Sequence, residues 1–164
     1  MTDSQSYLTH VASFEEVGWG IALIAITMMI HAFGMIVTLA TGDAMQRRLL
    51  TAKGFLANIA ALIATSWIIV FVHLSEVMVW AAFFVLCGAM PSMTAAYYYA
   101  LLQYVTVGSE LTLPVHWRLL GGLIGMAGLL TFAWSTTVLL FEIRQLQRLA
   151  RRRQRSAIRP GHDG

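Results

Sequence analysis

The chain has 164 residues, of which 58% are hydrophobic and only 12% are charged, with a formal net charge of +3. A soluble domain of this length would have too little polar surface to cover its core. The composition therefore excludes an ordinary soluble protein and predicts several membrane helices. The single cysteine, Cys87, excludes an internal disulfide framework, and no spacing of cysteine and histidine resembles a structural zinc site.

The first predicted element is a membrane helix at residues 19–41, preceded by a polar tail at residues 1–18. The tail carries acidic residues where a signal peptide would be positively charged. Residues 19–41 contain His31 as their only ionisable side chain, and the run is long enough to cross about 30 Å of hydrocarbon. We expect His31 to bond a carbonyl or hydroxyl group of a neighbouring helix, and the alternatives are a haem ligand or a proton site.

The second apolar run, residues 54–90, is longer than one membrane crossing requires. It follows a basic loop at residues 42–53, and a second basic segment follows Glu142. Basic flanks favour the cytoplasm, so an even number of crossings should separate the two segments. We therefore predict an all-α membrane protein with three transmembrane helices, its N-terminus outside and its C-terminus in the cytoplasm.

His73 and Glu76 lie three residues apart and so share one face of the second helix. A carboxylate facing lipid would be expensive, so Glu76 should face protein or water. We expect the two side chains to form a hydrogen-bonded or ionic pair that braces a neighbouring helix. The alternative is an outer site that senses pH or attracts cations.

A short helix is predicted at residues 92–104, because Pro91 and Ser92 provide a start signal. A polar stretch at residues 105–110 follows, with the sequence Val-Thr-Val-Gly-Ser-Glu, and then an inner helix with four glycines at residues 117–143. The order of outer helix, short helix, Thr-Val-Gly loop and inner helix resembles the pore module of the potassium-channel superfamily. The resemblance covers residues 55–143 and extends to small bacterial ion-channel homologues.

This resemblance implies that the short helix is a re-entrant pore helix and that residues 105–110 form the selectivity filter of a homotetramer. Thr106, Val107 and Gly108 would offer oxygen atoms to a permeating K⁺ or Na⁺ ion, and no other cofactor is expected. Ser109 and Glu110 replace the tyrosine and the second glycine of the family's filter. We therefore expect weakened selectivity among monovalent cations, with a potassium-selective channel as the alternative.

The inner helix carries Gly121, Gly125 and Gly128 at spacings of four and three residues, a pattern that permits close helix contact. Helix packing is our first interpretation, and a gating hinge at Gly125 and Gly128 is the alternative. The mildly polar residues further along this helix are expected to line the pore: Thr131, Ser135 and Thr136.

Residues 144–164 form a basic tail, whose expected partner is anionic lipid at the cytoplasmic surface rather than nucleic acid. The sequence thus predicts a cation channel of the bacterial inner membrane. No nucleophile, metal cluster or acid/base pair indicates an enzyme. The alternatives are a small haem-binding redox protein of the membrane, a non-conducting scaffold and a small transporter.

Overall fold

The computed structural model describes residues 14–49 and 55–158 of the chain. In chain order, the elements are α1 at Phe14–Leu49, α2 at Phe55–Leu86, α3 at Met93–Tyr104, a short 3-10 helix at Val115–Trp117, and α4 at Leu119–Ile158. The described ranges contain no strand. The predicted all-helical fold is confirmed.

Three segments are long and apolar enough to cross a membrane: Phe14–Met45, Ile59–Leu86 and Val115–Arg148. They lie in α1, in α2, and in α4 with the short helix before it. A membrane crossing needs about 20 apolar residues, whereas α1 has 36 residues and α4 has 40. This confirms the predicted number of helices long and apolar enough to span a membrane, and it shows that α1 and α4 are longer than one crossing requires.

Helix α1 is longer than the predicted span at residues 19–41. It begins inside the predicted polar tail and continues through residues 42–49, where we expected a basic loop. Residues 44–47, Ala-Met-Gln-Arg, are all strong helix formers, and the single Gly42 does not end a helix with such neighbours. The rest of the predicted tail and loop, residues 1–13 and 50–53, lies outside the described residues.

Helix α2 ends at Leu86, before the predicted end at residue 90, because the chain turns at Gly88, whose φ is 70°. Helix α4 continues past residue 143 through the basic segment, where Leu, Gln and Arg residues favour helix. Residues 159–164 lie outside the described part of the chain. Helix α3 begins one residue after its predicted start, and the Ser92 hydroxyl caps it by accepting the N–H of Ala95 at 3.3 Å.

The chain divides into two compact units. Unit 1 contains the described residues up to Phe33 together with Val70–Ala133. Its core is aromatic and aliphatic, with Trp80, Phe84 and Ile124 fully buried. The carboxylate of Glu16 in α1 is also buried, and it accepts the N–H of Leu119 at 2.7 Å. Leu119 is the first residue of α4, so a side chain of α1 satisfies a backbone donor that the helix itself leaves free.

Unit 2 contains Gly34–Ile69 and the chain from Trp134 onward, within the described residues. Here α1 and α4 approach closely: a methyl carbon built at Gly42 would lie 2.6 Å from Oε1 of Glu142. One turn further along α4, Nε2 of Gln145 donates to Oδ1 of Asp43 at 3.1 Å. The contact therefore depends on the missing side chain at Gly42.

Candidate functional site

The polar stretch after α3 begins with a tight cap on that helix. The N–H of Thr106 donates to the carbonyl of Gln103 at 2.9 Å, and the N–H of Val107 donates to the carbonyl of Leu102 at 3.0 Å. This pair of bonds is the Schellman arrangement, in which the residue just past the helix takes a left-handed backbone conformation. That residue is Thr106, with a φ of 61°.

A threonine at this place is strained, because a left-handed conformation costs roughly 1–2 kcal/mol for a residue with a Cβ. The end of α2 shows the usual solution. There Gly88 is the left-handed residue, its N–H donates to the carbonyl of Val85 at 3.1 Å, and the N–H of Ala89 donates to the carbonyl of Phe84 at 2.9 Å. The same hydrogen bonds close both helices, but only α3 closes on a strained residue.

The backbone that follows this cap is exposed and conformationally unusual. Residues 105–108 are exposed, Val107 to 73%, and Gly108 has a second positive φ, of 83°. Across the described chain, no backbone N–H donates to the carbonyl of Thr106, Val107 or Gly108. Three consecutive carbonyl groups are therefore available to a ligand.

The last two residues of the stretch differ from each other in burial and in hydrogen bonding. Ser109 is half-buried, and its Oγ accepts the N–H of Leu111 at 3.1 Å, which closes a small local turn. Glu110 is exposed. Its carboxylate therefore lies on the surface of the chain.

A buried polar cluster lies in unit 1, formed by His31 of α1, His73 and Glu76 of α2, Tyr104 of α3 and Thr131 of α4. Nδ1 of His31 lies 2.8 Å from Oε1 of Glu76, and the Tyr104 hydroxyl donates to Oε2 of Glu76. Nδ1 of His73 lies 2.8 Å from the Tyr104 oxygen and 3.5 Å from Oε2 of Glu76. The Thr131 hydroxyl lies 2.5 Å from the Tyr104 oxygen. We call this set the polar cluster.

The number of available hydrogens determines which groups donate and which accept in the polar cluster. Tyr104 has a single hydroxyl hydrogen, which goes to Glu76, so its oxygen acts as an acceptor toward His73 and Thr131. Burial, and next the hydrogen bond to Glu76, raise the pKa of Tyr104, so the phenol keeps its proton at neutral pH. Both oxygens of Glu76 accept hydrogen bonds, which makes this carboxylate the centre of the polar cluster.

A second polar contact fixes α1 against α2 in unit 1. Nε1 of Trp80 donates to the hydroxyl of Thr27 at 3.0 Å. Trp80 lies one helical turn after Glu76, and Thr27 lies one turn before His31. The two contacts together set the register in which His31 meets Glu76.

The predicted glycine stripe of α4 lies against α3. A methyl carbon built at Gly128 would overlap the carbonyl oxygen of Tyr104, and one built at Gly125 would lie 3.3 Å from the carbonyl oxygen of Gln103. At Gly121, the nearest atom would be the hydroxyl of Tyr99, at 2.6 Å. The stripe thus lets α4 contact the last turns of α3, which is the packing role that we expected first.

The three residues expected to line a pore differ in their exposure to solvent. Thr131 and Ser135 are buried within the single chain, at 0% and 4% exposure, whereas Thr136 is exposed. Thr131 contributes its hydroxyl to the polar cluster, and the same oxygen lies 3.1 Å from the carbonyl oxygen of Ala127. Only Thr136 is therefore on the surface of the chain.

The sequence placed His73 beside Glu76 but did not connect either residue to His31, Tyr104 or Thr131. A signal was present, since ionisable residues inside apolar spans usually pair with one another. His31 and Glu76 are separated by 45 positions, and a helix periodicity does not reveal which faces of two helices meet. The phenol of Tyr104 carried no such signal, because an aromatic residue on a short helix most often packs.

Comparison of the chain with protein-family models, with curated proteins and with solved structures gives no match.

Proposed function

We propose that this chain is one subunit of a homotetrameric channel for monovalent cations, with residues 105–110 as its filter and α3 as a re-entrant pore helix. The observation that carries the proposal is the run of exposed carbonyls at Thr106, Val107 and Gly108, to which no described backbone N–H donates. Carbonyl oxygens in such a run can replace the water shell of a permeating ion.

The conformation of the run supports this role. Thr106 and Gly108 have positive φ values of 61° and 83°, and Val107 lies between them. Local strain of this kind is concentrated at functional sites, because it persists only when the surrounding structure imposes it. The N–H groups of Thr106 and Val107 are used to cap α3, which leaves the oxygen side of the stretch as its polar face.

Helix α3 contributes charge as well as position. Its C-terminal end, at Tyr104, carries the partial negative charge of the helix dipole, which favours a cation close by. The polar cluster and the glycine stripe of α4 both hold this end of the helix. The proposal therefore favours cations over anions.

One chain supplies one filter strand, so a closed ring of carbonyls requires several copies around an axis, four by the resemblance to potassium channels. Glu110 would then form a ring of exposed carboxylates that concentrates cations at the outer mouth. Because Ser109 and Glu110 stand where the family has tyrosine and glycine, the proposed channel selects weakly among monovalent cations. A reversal potential at the potassium equilibrium value in potassium/sodium gradients would instead indicate a potassium-selective channel.

The proposed channel lies in a bacterial inner membrane, with the filter toward the outside and the C-terminus in the cytoplasm. The basic part of α4 has exposed side chains at Arg144, Arg148 and Arg151. Basic residues close to a cytoplasmic membrane surface contribute about 1 kcal/mol each through anionic lipid. Anionic lipid is therefore the proposed partner of this segment.

The proposal can be tested by K⁺ flux measurements on variants of two glycines. These glycines have similar backbone conformations, but only one of them lies in the proposed filter. Gly88 and Gly108 have φ values of 70° and 83°, and a methyl carbon built at either one meets nothing within 4 Å. Replacement by alanine strains both positions similarly, but only Gly108 lies in the proposed filter. We expect Gly108→Ala to abolish K⁺ flux into liposomes and Gly88→Ala to retain it. Equal flux from both variants would refute the proposal, and a Soret band in the same preparation would indicate the haem-binding alternative.

A further inference from the structure

The polar cluster contains a set of side chains that the proposed filter does not use. One potential ligand atom each from His31, His73 and Glu76 can be chosen so that all three lie within 4.8 Å of one another. The two imidazole rings have centroids 5.3 Å apart, tilted by 42°. All three residues are buried, and they come from two different helices.

Two imidazoles and one carboxylate form a known type of ligand set. Zinc sites with an open coordination position use two histidines and a glutamate, and two histidines with one carboxylate also hold iron(II). Zinc bonds to nitrogen and oxygen are about 2.0–2.2 Å long, so two atoms on one ion lie no more than about 4.4 Å apart. The three ligand atoms lie within 4.8 Å of one another, so they must draw somewhat closer together to bind one ion.

We propose that His31, His73 and Glu76 form a buried site for one divalent transition-metal ion of the zinc type per chain. Tyr104 acts as a positioning residue, because its hydroxyl donates to Glu76 and contacts Nδ1 of His73. Ligands of a metal ion are usually oriented by such outer hydrogen bonds. The ion would tie α1 to α2 and, through Tyr104, to the end of α3.

Charge and access both suit an ion at this place. A carboxylate inside apolar helices needs a compensating positive charge, and a divalent ion bound by the two imidazole rings supplies it. His73 is the least buried of the three ligands, at 9% exposure, and its ring stacks on Phe132 at 4.5 Å. The Phe132 ring therefore covers the least buried side of the proposed site.

The experiment measures binding of Zn²⁺ and Co²⁺ to the purified full-length chain in detergent, and it does not depend on ion flux. We expect one tightly bound equivalent per chain and the intense visible absorption of four-coordinate Co²⁺. His31→Ala and His73→Ala should each abolish this binding. The matched control is His116→Ala, which removes an exposed histidine outside the polar cluster and should leave binding unchanged.

A fourth variant separates positioning from ligation. Tyr104→Phe leaves all three ligands in place, so we expect metal affinity to fall by about 10–100-fold rather than to vanish. Circular dichroism reports whether each variant folds. If a histidine variant does not fold, the Co²⁺ spectrum of the unaltered chain shows whether the proposed site binds a metal ion. The proposal is overturned if the unaltered chain binds no stoichiometric metal, or if His31→Ala and His73→Ala fold and bind as well as His116→Ala. Either result would leave the polar cluster as a hydrogen-bonded network only.

Discussion

Helices α2 and α3 end with the same pair of backbone hydrogen bonds, yet the left-handed residue is Gly88 in one and Thr106 in the other. At the end of α2, the local sequence is sufficient, because glycine takes this conformation without a steric penalty. At the end of α3, the local sequence opposes the conformation that the chain adopts. Distant groups must therefore hold α3 in place, and the structure identifies them in the polar cluster and in the glycine stripe of α4.

The strained backbone at the candidate filter persists because contacts from other helices hold the adjacent end of α3. Tyr104, two residues before Thr106, is fixed by its side chain through Glu76 and by its carbonyl against Gly128. The last turn of α2, before Gly88, contributes no side chain to the polar cluster. The first two tests below each remove a support from the end of α3, the third exchanges the residues at the two helix ends, and the last changes an exposed residue beyond the cap.

The largest effect is expected from Glu76→Ala. The substitution leaves His31 and Tyr104 buried without the acceptor that they share, and each buried polar group left without its hydrogen-bond partner costs about 1–3 kcal/mol. Denaturant unfolding in detergent micelles measures the change in the free energy of unfolding. The control is Glu15→Ala, an exposed position on α1 that should change stability by less than about 0.5 kcal/mol. Equal stability of the two variants would show that the polar cluster does not support the fold.

Gly128→Ala should have the next largest effect, because its new methyl group would overlap the carbonyl oxygen of Tyr104. Overpacking of this kind costs about 1–3 kcal/mol. Gly122→Ala is a matched control on the same helix, since nothing lies within 4 Å of a methyl carbon built there. Thermal unfolding of both variants is the measurement. If Gly128→Ala is as stable as Gly122→Ala, the close contact between α3 and α4 is not required.

A reciprocal exchange tests the comparison itself. Thr106→Gly should stabilise the chain by about 1–2 kcal/mol by removing left-handed strain, and Gly88→Thr should destabilise it by a similar amount. Both values come from the same unfolding experiment, and opposite signs are expected. Two changes of the same sign would mean that the strain at Thr106 is offset within the cap itself.

The smallest effect on stability is expected from Glu110→Gln, because this exposed side chain lies beyond the cap of α3. The free energy of unfolding should change by less than about 0.5 kcal/mol. Cation flux should fall at low ionic strength, and the difference should fade in high salt, because the screening length falls from about 30 Å at 0.01 M to about 3 Å at 1 M. A flux difference that does not depend on salt would argue against a ring of carboxylates at the mouth.

The sequence predicted the features that depend on composition and on helix periodicity. Apolar runs located three helices long enough to span a membrane, Ser92 marked the start of α3, and the spacing of His73 and Glu76 placed both on one face. The spacing of Gly121, Gly125 and Gly128 likewise indicated a close helix contact, and these glycines lie against α3.

The remaining features depend on which helix faces meet. The contact of His31 with Glu76 joins two helices, so no local pattern encodes it. Thr131 was expected to line a pore because it is mildly polar, yet it is buried and bonded to Tyr104. The left-handed conformation of Thr106 was not predicted either, since threonine gives no local signal for a positive φ.

The most direct test of the central claim is an experimental map of the full-length chain in lipid nanodiscs containing K⁺. We predict a fourfold assembly in which the carbonyls of Thr106, Val107 and Gly108 face the axis, with ion density between them. An assembly without fourfold symmetry, or one with residues 105–110 at its periphery, would contradict it.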